Sequence, residues 1–144
     1  MGKVLAVCTS QERGTAKRNT GRAEFAAGYG IQGDAHAGPW ERQVSLLSHE
    51  KIAAFRERGA EVTDGDFGEN MVVEGIDFSS LPVGAVLLCG EVVLEISQIG
   101  KECHSHCQIF KRMGDCIMPR EGVFARVIRG GSICVGDEMY VRES

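Results

Sequence analysis

The chain has 144 residues, with 16 Lys+Arg against 20 Asp+Glu for a formal charge of −4, and a pI of about 5.6. That length is one domain's worth, and 43% hydrophobic residues are enough to build a core without a structural metal or disulfide. The acidic balance speaks against a nucleic-acid groove, which shows as a basic patch or stripe, and no apolar run is long enough to span a membrane.

Nineteen glycines and few Ala-rich or Leu-rich helical stretches predict short strands joined by many turns. Val4 to Val7 is a short β-branched apolar run and reads as a buried strand carrying Cys8. Met1 to Thr9 carries no leader pattern, so a cytoplasmic chain is expected. Ser10 to Gly21 is polar, and Arg13, Lys17, Arg18 and Arg22 make it a loop with a basic face.

Gln43 to Leu47 reads as the next strand. A helix follows over residues 48–58, with Ser48 at the N-cap position, Glu50 in the first turn, Ile52 and Phe55 three apart, and Gly59 as its stop. Turn signals then surround the strand Met71 to Val73. Ala85 to Leu88 and Val92 to Ile96 flank Cys89-Gly90-Glu91, a hairpin with glycine at its turn. Cys103 to Met113 reads as a second short helix, and Val123 to Ile128 and Glu138 to Val141 as the last strands. There is no internal repeat or linker, and 1–144 reads as a single, mostly-β barrel with a few short helices.

Several constellations carry chemistry. Gly28, Gly30 and Gly33 match G-x-G-x-x-G, but the Asp34 to Pro39 sequence that follows cannot open a helix, so a loop with positive φ at several points is expected instead of a dinucleotide site. Asp34, His36 and the following Arg42 suit a polar ligand, or equally an Asx-type turn with a surface imidazole. Asn70 either bonds a ligand or caps a turn. Arg126 interrupts an apolar strand, and points to solvent or, in a cleft, clamps an anion.

Six cysteines in a reducing compartment are thiols. Cys8, Cys89 and Cys134 lie within or beside apolar strand runs and read as packing. Cys103 begins a helix beside Lys101, two features that lower a thiol pKa. Cys103 and Cys107, four apart with His104 and His106 between them, together with Cys116, also make a candidate zinc site.

In order and spacing, the chain resembles the MOSC domain family, shared with the C-terminal part of molybdenum cofactor sulfurases. The likeness rests on Gly30-Ile31-Gln32-Gly33-Asp34-Ala35-His36-Ala37-Gly38, Arg42 to Leu47, Phe67-Gly68-Glu69-Asn70, Leu81-Pro82-Val83-Gly84, Leu94 to Gln98, and Gly122 to Val127. It implies a closed barrel of the pyruvate-kinase barrel type and a cleft for the molybdopterin form of the molybdenum or tungsten cofactor, or a part in carrying sulfur to it. It places the family's cysteine at Cys103, with Glu102 where relatives often have proline, and leaves Cys107 as a second metal-facing sulfur.

By the same implication Lys17, Arg18, Arg42 and Arg126 supply donors to the cofactor's phosphate, with Asp34, His36 and Asn70 lining the site. Pyridoxal phosphate belongs to the desulfurase half of the larger enzymes, which is absent here, so a cysteine desulfurase or a molybdoenzyme is the implied partner. A small reductase of N-hydroxylated compounds is the alternative enzyme reading.

Overall fold

The structure, a computed structural model, describes residues 2–10, 17–35, 37–40, 43–57, 59, 69–99 and 122–142. Seven strands close a ring. In spatial order they are β1 (Gly2–Thr9), β11 (Glu138–Arg142), β7 (Val86–Cys89), β8 (Val92–Ile99), β9 (Val123–Arg129), β5 (Val44–Ser48) and β6 (Met71–Glu74), which returns to β1. All neighbours are antiparallel except β5 and β6, which run parallel. Closure leaves none of the seven with an unpaired edge. β2 (Arg18–Asn19) pairs with the end of β1. A separate three-stranded sheet joins β10 (Gly131–Cys134), β3 (Arg22–Ala26) and β4 (Gly30–Ile31).

Alternation decides what each face of the wall does. Val4, Leu46, Met71, Leu87, Leu94, Ile96, Ala125, Val127 and Met139 point inward and pack one continuous core, to which Phe25, Ile31 and Ile133 of the smaller sheet also belong. Leu47 and Val72 are partners in register, lie on the outer face and are nonetheless fully buried. α1 (His49–Glu57) covers them, because it packs on β5 and β6 with Ile52 and Phe55 turned inward.

The helix agrees with the sequence expectation to within a residue at each end. Ser48, expected as its N-cap, holds a different contact: its hydroxyl donates to the Ile76 carbonyl and accepts from the Phe78 amide at 3.3 Å. That bond ties the end of β5 to the 3₁₀ turn Phe78–Ser80. No helix among the described residues is long and apolar enough to cross a membrane.

The hairpin of β7 and β8 closes as its sequence predicts. Gly90 has φ +58° while Glu91 has negative φ, the pattern of a type II′ turn with glycine first. Strands β3 and β10 were not expected. Arg22 to Ala26 holds one large apolar residue among charged ones, and Gly130-Gly131 reads as a turn. In the fold Gly130 is what lets the two strands meet, because a Cβ there would collide with the Phe25 carbonyl oxygen. The expected helix over Cys103 to Met113 lies outside the described residues.

Candidate functional site

Four separate stretches of chain converge where β1 ends. Ser10 follows β1, Lys17 precedes β2, Asp34 sits in the turn after β4, and Asn70 immediately precedes β6. The Lys17 ammonium donates to Asp34 Oδ1 at 2.7 Å and to Ser10 Oγ at 3.2 Å. Asp34 Oδ1 also accepts the Ser10 backbone N–H at 3.1 Å.

Asn70 reaches further into the wall. Its Oδ1 accepts from both the N–H and the hydroxyl of Ser45, at 2.9 and 3.1 Å, while its Nδ2 donates to the Cys8 carbonyl at 3.0 Å. Its own N–H is held by Ser45. Lys17, Asp34, Ser45, Asn70 and the adjacent Glu69 are all buried.

The network is legible as chemistry. Burial alone pushes the Asp34 carboxyl up, but the Lys17 hydrogen bond and charge, the Ser10 N–H and the Asn70 amide outweigh it and hold the carboxyl below the ordinary Asp value. Lys17 and Asp34 therefore face each other as ions with both side chains out of water. Two of the three Lys17 N–H donors are committed to Asp34 and Ser10.

The structure thus brings together three of the sequence candidates, Lys17, Asp34 and Asn70. Arg18 lies beside them on β2, exposed, opposite Thr9. Arg126 stands apart, exposed on the outer wall of β9 and opposite Glu95 of β8 in register. His36, Arg42, Cys103, Cys107 and Cys116 lie outside the described residues. Described neighbours of the first two are held in place: Ala35 N–H bonds the Ser10 carbonyl at 2.8 Å, Ala37 N–H bonds the Asp34 carbonyl, and the buried Gln43 side chain accepts from Val127 N–H at 2.9 Å.

The residues bordering 100–121 are also fixed. Ile99 pairs with Val123, Val123 with Leu46, Leu46 with Met71 and Met71 with Val7, one continuous rung that ends beside Asn70 and Cys8.

Gly28, Gly30 and Gly33 all take positive φ in the turns around β4, which is the conformation expected of them in place of a dinucleotide loop. Sequence reasoning passed over Ser10 and Ser45. The signal was present at Ser45, a hydroxyl inside the apolar run Val44 to Leu47, because a polar group enclosed by a core requires a partner. Cys8 and Cys89 are buried. Burial, then the charge of Asp137 and the neighbouring Cys134, push the Cys89 thiol up to about 11, so it stays neutral and unreactive near pH 7.

The family model for the MOSC domain matches residues 32–140. The chain belongs to the MOSC domain family. Solved structures agree on its fold. YuaD of Bacillus subtilis superposes with TM-score 0.76 at 20% identity, covering 96% of this chain and 94% of its own. YiiM of Geobacillus stearothermophilus gives TM-score 0.74 at 16% identity, over 99% of this chain and 76% of its own. YiiM of Escherichia coli gives 0.66 at 19%, over 100% and 71%. No curated protein matches the sequence. MOSC domains are associated with binding of the molybdenum cofactor.

Proposed function

We propose that this MOSC domain binds the molybdopterin form of the molybdenum or tungsten cofactor at the loop end of its barrel and carries sulfur for it on Cys103. The observation that carries the reading is the family match over residues 32–140. The donor chemistry supports it. The lumen is filled by Leu46, Leu87, Leu94, Ile96 and Val127, so a polar ligand belongs at the loops, where the buried Lys17 and the exposed Arg18 follow one another in the chain.

An oxyanion such as the cofactor's phosphate fits that pair, with Arg42 as a further donor. Asp34 orients the Lys17 ammonium, and His36 and Asn70 complete the polar lining. When bound, the cofactor supplies a soft metal centre that favours thiolate or sulfide ligands.

In this reading Cys103, four residues beyond Ile99 in the chain, supplies the sulfur. Ile99 and Met71 share a rung three strand spacings apart, about 14 Å, and the four residues from Ile99 to Cys103 span at most about 14 Å. As sulfur carrier, the Cys103 thiolate attacks the outer sulfur of a donor persulfide on a cysteine desulfurase. The donor's S–S bond breaks, its cysteine leaves as a thiolate, and Cys103 holds the persulfide for a molybdoenzyme partner. Cys107 is the neighbouring sulfur able to take it over.

The test is anaerobic expression in a cofactor-producing host, with molybdenum, tungsten and zinc measured on wild type and Cys103→Ser. Molybdenum or tungsten bound to wild type and lost from the variant is the expected result. Zinc bound without pterin overturns the cofactor reading. Equal persulfide labelling of wild type and Cys103→Ser after incubation with a desulfurase overturns the carrier role.

A further inference from the structure

Ser10 touches both ions of the buried pair. Its hydroxyl accepts from the Lys17 ammonium at 3.2 Å, and its backbone N–H donates at 3.1 Å to Asp34 Oδ1, the same oxygen that takes Lys17 at 2.7 Å. Its carbonyl accepts the Ala35 N–H at 2.8 Å. One residue at the end of β1 thus holds the turn that carries Asp34 by two backbone bonds, and holds the lysine by its side chain. Lys17 and Asp34 are buried, and Ser10 is half-exposed.

A lysine ammonium carries three N–H donors at the end of a flexible stem. A bond to Asp34 alone fixes one of them and leaves the head group able to turn about that N–H···O direction. A second acceptor off that axis stops the turning and so sets where the third N–H points. Asp34 supplies the countercharge and the first bond. The Ser10 hydroxyl is the second acceptor, and no third is found among the described residues.

We propose that Ser10 is a positioning residue: its hydroxyl fixes the direction of the Lys17 ammonium, and with it the N–H that meets the anion. This rests on the reading of the cluster as an oxyanion site and deepens it. The hydroxyl can be tested apart from the rest of the residue. Ser10→Ala removes it and keeps the backbone groups that hold Asp34 and Ala35, while Ser10→Thr puts a hydroxyl back on the same carbon.

The experiment observes the Lys17 ammonium in the full chain by proton–nitrogen-15 correlation NMR of the lysine side chains, and measures how fast its protons exchange with water. Wild type, Ser10→Ala, Ser10→Thr and Leu47→Ala are compared, and the same four are titrated with inorganic phosphate. Leu47 is buried beneath α1, makes none of the cluster's bonds, and controls for lost stability.

Exchange of the Lys17 protons should quicken several-fold in Ser10→Ala and stay at the wild-type rate in Ser10→Thr and Leu47→Ala. Phosphate affinity should fall about tenfold in Ser10→Ala, the scale of one hydrogen bond to a charged group, and hold in the other two. Unchanged exchange in Ser10→Ala, an equal change in Leu47→Ala, or a Ser10→Thr that behaves as Ser10→Ala overturns the proposal. So does phosphate bound equally by wild type and Ser10→Ala. If Ser10→Ala does not fold, Ser10→Cys, whose thiol is a weak acceptor, is judged by the same criteria. Faster exchange in Ser10→Ala with no phosphate bound by wild type supports the orienting role and removes the oxyanion site beneath it.

Discussion

Two ion pairs in this chain invite comparison, each an Arg or Lys facing a carboxylate with a serine hydroxyl beside it. In the loop cluster Lys17 meets Asp34 at 2.7 Å with both side chains at 0% exposure, and Ser10 accepts from the lysine. In the three-stranded sheet Arg22 meets Glu24 at 3.2 Å with exposures of 64% and 49%, and the Ser132 hydroxyl accepts from Arg22 and donates to Glu24. The chemistry is nearly the same and the dielectric is not. Water screens the second pair and can replace either partner. The first pair has given up hydration on both sides, so each ion depends on the other and on the hydrogen bonds that surround it.

Removing one buried partner is therefore expected to do the most damage. Lys17→Met leaves the Asp34 carboxylate buried against an apolar side chain, and should cost about 3–5 kcal/mol in a denaturant titration at pH 7. The same variant carries its own check. Without the ammonium the Asp34 value rises above that of the unfolded chain, and protonation becomes an escape, so the deficit should shrink as the pH is lowered toward 5. A deficit that is constant with pH would mean that packing, not charge, was lost.

Core packing sets the next scale. Leu94 is fully buried in the lumen, where contacts have no preferred direction. Leu94→Ala should cost about 2–5 kcal/mol, while Leu94→Met, which keeps the volume, should cost less than about 1.5 kcal/mol. No such lenient substitute exists at Lys17, because its partners require a charged donor. Unfolding free energies for the three variants, measured side by side, break the comparison if Lys17→Met proves as mild as Leu94→Met.

The acid limb of the stability curve sharpens it further. In the folded chain Asp34 lies below its ordinary value. Its contribution is fully present above the unfolded value of about 3.9 and is lost as pH falls through the folded value. Asp34→Asn should flatten the pH dependence of unfolding between pH 5 and acid, on top of a lower plateau at neutral pH. An unchanged slope would assign acid sensitivity to other carboxylates.

The barrel was readable in the sequence because its strands alternate or run apolar for three residues or more. Val92, Leu94 and Ile96 announce an inward face, and Met71 to Val73 a buried strand. β3 and β10 were not readable, since Phe25 and Ile133 are single inward residues in otherwise polar or glycine-rich stretches. Their pairing is a long-range event that no local pattern records. In the cluster the residue types pointed to chemistry at Lys17, Asp34 and Asn70. That they meet depends on four loops arriving at one end of the ring, a property of closure and register. Ser10 and Ser45 escaped notice for the same reason: a lone serine has meaning only once its partner is in place.

The smallest effect belongs to the exposed pair, and it is the one that most directly tests what burial adds. The Glu24 carboxyl is held below its ordinary value first by the Ser132 hydroxyl, against desolvation, with the bond and charge of Arg22 as lesser causes. Arg22→Ala removes the guanidinium but leaves the serine, the register of β3 with β10 and the Phe25 anchor in the core. Water takes the place of Arg22 at no great cost. The melting temperature should stay within error of wild type, and any difference at low salt should vanish as ionic strength is raised past 0.1 M, where the Debye length is about 10 Å. Lys17→Met, measured in the same salt series, should keep its deficit throughout. A salt-insensitive loss in Arg22→Ala would show that the small sheet, and not only the loop cluster, relies on an ion pair that water does not reach.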